Sequence, residues 1–172
     1  MKQLFAIDLK DYQEDAAVFR RPSARAVIMK DGKISLVYSQ KEKYYKFPGG
    51  GIHDDEDKIE ALIREVREEV GLCVIPETVR EFGSVLRRQR SDREPNTVFE
   101  QENFYYWCDV YEQMVSQDLD DYEREAEFVP RTVDIDEAIR TNAAYESSDF
   151  FNEIMIKREL RVLEMIKERN QK

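Results

Sequence analysis

Cysteine is scarce: Cys73 and Cys108 are the only two in 172 residues, and they form no CxxC pair. Nothing therefore points to a disulfide scaffold, and a reducing compartment is the simpler expectation. The single histidine, His53, has no His or Cys companion close by, which argues against zinc. Six glycines and five prolines leave no Gly/Ser linker, low-complexity tract or repeat that would divide the chain. No apolar run approaches the ~20 residues that a membrane-spanning helix needs. The start, MKQLFAIDLKDYQED, turns acidic before a secretory apolar stretch can develop. A soluble, cytoplasmic protein with no membrane partner is the expectation. Positive charge is also short: 27 Lys+Arg against 37 Asp+Glu give a net charge of −10. That balance opposes an extended cationic track for nucleic acid. It leaves room for a small phosphorylated ligand, because a metal ion can bridge carboxylates to phosphates.

What is present suits one compact domain over residues 1–172, since 41% hydrophobic residues can furnish a core without staples. Residues 1–21 read as an accessory segment in which Phe5, Ile7 and Leu9 alternate as a short edge strand. Residues 24–30 read as a strand, Asp31-Gly32 as a hairpin turn and 34–38 as the returning strand. Residues 43–47 add a short strand before Pro48 and the run Gly49-Gly50-Gly51. The apolar period then changes from two to 3.6. Ile59, Leu62, Ile63, Val66 and Val70 share one side of a helix over residues 57–70, with Asp54 or Asp55 as cap and Gly71 as stop. Antiparallel strands follow at 82–88 and 99–110, then an acidic loop over 111–127, a strand at 128–133 and a short helix over 134–141. A final helix spans 151–168, and its stripe Ile156, Leu160, Leu163 and Ile166 needs cover from the domain or from a second subunit. The class is α/β with a mixed sheet.

The chemistry concentrates between Gly50 and Leu72. On an ideal helix, Glu68 and Glu69 fall about −60° and +40° from Glu65, beside the apolar face. Like charges this close repel and raise one another's pKa values, and a divalent cation converts that repulsion into coordination. On the helix alone a solvated acidic face would look the same. The surrounding spacing decides: Gly50, then Glu56, then Arg64-Glu65-Val66-Arg67-Glu68-Glu69-Val70-Gly71-Leu72.

This stretch resembles the signature of the Nudix hydrolase family, G-x5-E-x7-R-E-U-x-E-E-x-G-U with U aliphatic, and matches it at every prescribed position. The resemblance is best over residues 22–142. It implies an α/β/α sandwich with a mixed sheet, to which the C-terminal helix 151–168 is an addition. It implies Mg²⁺ or Mn²⁺ held by Glu65, Glu68 and Glu69, with the Gly50 carbonyl completing the shell, and Arg64 orienting the carboxylates. Glu56 falls near 180° on the wheel, away from the other acids, so it is a direct ligand only where the backbone departs from that helix. The implied reaction is hydrolysis of a phosphoanhydride in a nucleoside diphosphate linked to another moiety. The water's proton goes to Glu65, Glu68 or a later-loop acid among Glu123, Glu125 and Glu127, of which Glu125 and Glu127 adjoin the returning strand. A non-catalytic nucleotide-binding or regulatory module is the alternative.

Candidate phosphate-binding residues are Arg25, Lys46, Arg87 and Arg88, because guanidinium and ammonium groups suit phosphate oxygens. Tyr105 and Trp107 share a strand face and are candidates to stack a base. Within the resembled family, the sequence lacks the SQPWPFPxS and LLTxR segments of the NADH and coenzyme A groups. It also lacks the proline of many ADP-ribose pyrophosphatases, and Arg88 stands where dinucleoside-polyphosphate enzymes often have tyrosine. A nucleoside triphosphate or a nucleotide sugar is the remaining substrate expectation. Many members of the family are dimers, which makes a homodimer plausible.

Overall fold

The computed structural model describes residues 1–170; residues 171–172 of the single-domain assignment lie outside the described residues. In chain order the elements are β1 (Gln3–Asp8), β2 (Ala17–Arg20), β3 (Ser23–Lys30), β4 (Lys33–Ser39), β5 (Tyr44–Lys46) and β6 (Gly49–Gly51). Next come α1 (Lys58–Val70), β7 (Leu72–Val74), a 3₁₀ turn at Pro76–Thr78, β8 (Arg80–Arg90), β9 (Thr97–Trp107) and β10 (Val110–Met114). The chain closes with α2 (Asp121–Glu125), β11 (Phe128–Asp134), α3 (Ile135–Ala143) and α4 (Phe150–Asn170).

Among the described residues, nine strands form one mixed sheet ordered β1-β8-β9-β3-β4-β11, with β2 beside β9, β5 beside β4 and β6 beside β3. The β1–β8, β2–β9 and β3–β9 pairs are parallel. Alternation along β9 divides the core. Phe104, Tyr106 and Cys108 join Leu62, Val66 and Val70 of α1 on one face. Tyr105 and Trp107 join Val162, Leu163 and Ile166 of α4 on the other. The result is the expected α/β/α sandwich. On one side α1 is joined by Ala126 at the end of α2 and Ile156 of α4, and on the other lie α3 and most of the α4 stripe.

The ends of α1 follow from local chemistry. Asp57, two positions beyond the nearer of the expected caps, accepts hydrogen bonds from the N–H groups of Ile59 at 2.7 Å and Glu60 at 3.4 Å. Gly71 stops the helix in the left-handed region at φ 68°, where an added Cβ would lie 2.2 Å from the Val115 carbonyl oxygen.

One expectation needs correction. The segment 111–127 is not all loop: β10 pairs with β7, and α2 carries a capping box between Asp120 and Glu123. Its acidic composition masked that short helix. The N-terminal segment joins the main sheet through β1, at the edge as expected, and through β2. Of the two covers expected for the α4 stripe, the domain itself supplies one, since Ile156, Leu163 and Ile166 are buried within the chain. No described helix is long and apolar enough to cross a membrane.

One polar clasp ties α3 to β5, the strand that leads into the glycine turn. The buried Asn142 side chain accepts from the Tyr45 N–H and donates to the Tyr45 carbonyl, both at 2.8 Å. Asn142→Ala strands both backbone groups away from water, so urea unfolding is expected to show a loss of about 2–4 kcal/mol. A loss below about 0.5 kcal/mol would mean that the clasp contributes nothing net.

Candidate active site

The site forms where β6 runs antiparallel to the start of β3, which sets Gly49–Gly51 against residues 23–25. Several side chains pin this turn. Buried Arg25 donates to the carbonyl oxygens of Gly49 and, at 3.5 Å, of Phe47. From the opposite layer, the Glu159 carboxylate of α4 accepts the Phe47 N–H at 2.7 Å. A Cβ on Gly50 would lie 2.2 Å from a carboxylate oxygen of Glu65, so only glycine lets that side chain close over the turn.

Arg64 organises the acids. Its Nε and Nη2 make a fork onto Glu56, at 2.8 and 2.9 Å. Its Nη1 lies 2.7 Å from Glu65 and 3.3 Å from Glu68, and Nη2 donates to the Gly51 carbonyl at 3.1 Å. One guanidinium therefore joins three carboxylates to the glycine turn. The Arg64 hydrogen bonds hold the Glu56 carboxyl down at about 2, well below the usual carboxylate range. Burial pushes Glu65 up instead, partly opposed by Arg64. Glu69 lies deeper: it is buried, accepts the Gly49 N–H at 2.8 Å and pairs with the ammonium of buried Lys46. Its burial sets it apart from Glu65 and Glu68, with which the resemblance groups it as one ligand set. The cause is the face of α1 that it occupies, turned toward the glycine turn and β5. There the Gly49 N–H bonds one carboxylate oxygen, and the other, without a hydrogen bond, is held by the Lys46 charge.

Every donor facing the turn is a hard oxygen, which suits Mg²⁺ or Mn²⁺ chemically. Among the described residues, no three His, Cys, Asp or Glu side chains converge on one point as they stand. Arg64 is interposed between Glu65 and Glu68, and Lys46 holds Glu69, so cationic side chains balance the acids.

The remaining candidates separate. Glu125 is exposed and lies 3.3 Å from Lys41, whereas Glu123 of the same short helix turns toward Glu69 and Lys46. Burial, then the Glu69 charge, raises the Glu123 carboxyl to about 7. Strand adjacency could not reveal this, because orientation within one turn of α2 decides which acid faces inward. Arg88 pairs with Glu100 at 3.0 Å. Arg87 is buried against Phe151, and its Nη2 donates to the Phe151 carbonyl. Tyr105 is 0% exposed, packs edge-on against Phe47 and donates its hydroxyl to Glu159, so it offers no ring face to a base. Trp107 packs edge-on against Phe82 at the far end of β9. The second core behind the sheet claims these side chains. A cleft of about 720 Å³ adjoins the acids on the outer side of α1, lined by Arg64, Arg67, Glu68, Gln117 and Asp118. Its far wall is tied to the helix by the Asp118 N–H bond to the Glu68 carbonyl, at 2.8 Å.

A glycine turn and an arginine-clasped acidic helix at the edge of an α/β/α sandwich define a class of hydrolase. The family model described as NUDIX domain matches residues 19–153, and the chain belongs to that family. Its members generally need divalent metal ions. An RNA pyrophosphohydrolase from Xylella fastidiosa (strain M12) is 38% identical over 65 residues, which cover 37% of this chain and 33% of the relative. The match thus spans about a third of that relative's length. A NUDIX hydrolase from Nitrosomonas europaea superposes with a TM-score of 0.53 at 21% identity, covering 81% of this chain and 89% of that one. The E. coli ORF135 protein gives 0.52 at 20% identity, over 86% and 92%. At these identities the two structures speak for the fold.

The raised Glu123 carboxyl yields a signed prediction. Folded Glu123 binds its proton more tightly than the ordinary value of 4.5 allows, so folding stability falls as pH rises from about 4.5 to about 7. Gln at this position keeps the capping acceptor and removes that loss. In metal-free protein, Glu123→Gln is expected to raise Tm at pH 8 and to leave it unchanged at pH 4.5. An equal shift at both pH values would contradict the assignment.

Proposed function

We propose that the chain is a divalent-metal-dependent pyrophosphohydrolase that cleaves a phosphoanhydride bond in a nucleoside diphosphate linked to another moiety. The observation that carries this reading is the Arg64 clasp, which gathers Glu56, Glu65 and Glu68 against the Gly51 carbonyl. A solvated acidic face would need no such convergence.

Glu65, Glu68, Glu69 and the Gly50 carbonyl would hold Mg²⁺ or Mn²⁺, and Glu56 would serve as the anchor of Arg64. The bound ion would supply charge neutralisation of the phosphate oxygens and a lower pKa for a coordinated water. The chain's own residues do the rest. Gly50 admits the Glu65 carboxylate to the turn. Arg67 flanks the cleft beside the acids and presents donors to phosphate oxygens, whereas the Arg64 donors stay on the carboxylates and the Gly51 carbonyl. Glu123, which feels the Glu69 charge, would be the later-loop acid that accepts a proton, whereas Glu125 points away toward Lys41. Lys46 and Arg25 keep the turn in register rather than reaching outward.

A nucleoside triphosphate or nucleotide sugar is the substrate class for the cleft beside the acids, with a divalent cation offsetting the repulsion of the net charge of −10. A second reading, the 5′-triphosphate end of an RNA, is favoured by the similarity to RNA pyrophosphohydrolases. Such a substrate presents the same anhydride, and the acidic surface would confine contacts to its terminal nucleotides. The alternative of a non-catalytic binding module is disfavoured, because every prescribed acid of the motif is present.

The test is a panel of nucleoside triphosphates, ADP-ribose, nucleotide sugars, NADH, coenzyme A, dinucleoside polyphosphates and 5′-triphosphorylated RNA, assayed with Mg²⁺ or Mn²⁺. Turnover of at least one substrate is expected, with abolition by EDTA. Glu68→Gln should fold normally and lose at least about 100-fold in kcat. Glu123→Gln should lose a comparable factor, and Glu125→Gln should stay within about threefold of wild type. Activity that survives EDTA, or a fully active Glu68→Gln protein, would overturn the reading.

A further inference from the structure

We propose that Arg21 is a phosphate-binding residue of the active site, set against the face of the glycine turn opposite Glu65. The inference rests on the hydrolase reading above and adds a substrate contact that the motif does not prescribe. Successive residues of a strand face opposite ways. A Cβ on Gly50 would meet the Glu65 carboxylate of α1, whereas one on Gly51 would meet Arg21, 3.6 Å from Nε and 3.9 Å from Nη2. Arg21 and Glu65 therefore flank β6 on its two faces, with only glycine between them. A diphosphate laid across this bare turn would reach the acids at one end and the Arg21 guanidinium at the other.

The backbone holds residue 21 in place. Its N–H donates to the Glu100 carbonyl at 3.0 Å, and the carbonyl of the next residue, Pro22, accepts the Ile52 N–H at 3.0 Å. Arg21 is thus tied to β9 on one side and to the residue after the turn on the other. Its side chain is exposed and, among the described residues, makes no ion pair or hydrogen bond. The other cations around the turn are committed. Arg20 pairs with Glu100 at 2.9 Å, Arg64 clasps three carboxylates, Arg25 holds the Gly49 carbonyl and Lys46 holds Glu69. Arg67 lies on the outer side of α1, in the wall of the cleft. A divalent ion neutralises the phosphate oxygens it touches, and the net charge of −10 opposes the rest. One free guanidinium at the turn answers that deficit, because its planar fork places two parallel N–H groups on a single phosphate. The sequence hid this role, since Arg21 lies outside the motif, at the end of the accessory segment.

Calorimetric titration with α,β-methylene-ADP in the presence of Mg²⁺ tests the contact, because the bridging carbon resists cleavage and the readout needs no turnover. Wild type is expected to bind, and Arg21→Gln to bind at least about tenfold more weakly. Arg21→Lys should fall between them, since an ammonium keeps the charge and loses the fork. Mn²⁺ affinity and Tm of Arg21→Gln should match wild type, which separates a lost phosphate contact from a disturbed turn. On any substrate that wild type hydrolyses, Arg21→Gln should lose at least about tenfold in kcat/KM. Arg21-dependent binding by a wild type that hydrolyses nothing would support the contact and overturn the hydrolase reading. A wild type that does not bind the analogue, an Arg21→Gln protein that binds it within about twofold of wild type, or one that loses Mn²⁺ in parallel would each overturn the proposal.

Discussion

The Arg64 guanidinium is the interaction on which the site depends. Two carboxylates about 4 Å apart repel by about 4 kcal/mol at an effective dielectric near 20, so an acidic cluster beside a packed helix cannot stand without countercharge. Arg64 supplies it from within the same helix, to Glu56, Glu65 and Glu68 together. Its planar fork matches the Glu56 carboxylate through Nε and Nη2 and leaves Nη1 for the other two acids. Lysine has no such geometry. The clasp also reaches the Gly51 carbonyl, so the charge balance of α1 and the position of the glycine turn are parts of one arrangement.

A second buried pair supports the same turn from behind. Arg158 and Glu159 of α4 are both buried and hydrogen-bonded to each other, with Arg158 Nε at 2.9 Å. Burial alone would raise the Glu159 carboxyl, yet Arg158 and Arg25 hold it below the ordinary value. The charged carboxylate then accepts from both the Phe47 N–H and the Tyr105 hydroxyl. Removing one partner of a buried pair costs far more than the pair contributes in net stability, so its worth lies in fixing geometry. The C-terminal helix, which lies largely beyond the family match, is thereby connected through Glu159 to the residue just ahead of the glycine turn.

Much of the frame was legible from periodicity. The Asp31-Gly32 hairpin, the apolar face of α1 and the Gly71 stop each follow from local chemistry and appear within a residue or two of expectation. The convergence of Glu65 and Glu68 was legible as well, because helical spacing alone dictates it. The burial of Glu69 was not, since it depends on Lys46 arriving from β5. Nor was the inward turn of Glu123, because the run 111–127 carries charge and little apolar period. Tyr105 and Arg87 were misleading for the same reason: alternation places a side chain on a face, and whether a helix covers that face is a tertiary matter. Here α4 covers it, and the ring and the guanidinium are spent in the core.

The central claim is that the α1 carboxylates form a divalent-cation site once their cationic partners yield. The most direct measurement is Mn²⁺ binding to the purified chain at pH 7.5, followed by the electron paramagnetic resonance signal of the free ion. The account predicts saturable binding that weakens at least about tenfold in Glu65→Gln and in Glu68→Gln, with Glu125→Gln binding as wild type does. Wild-type protein with no saturable binding, or equal binding in all four proteins, would contradict it.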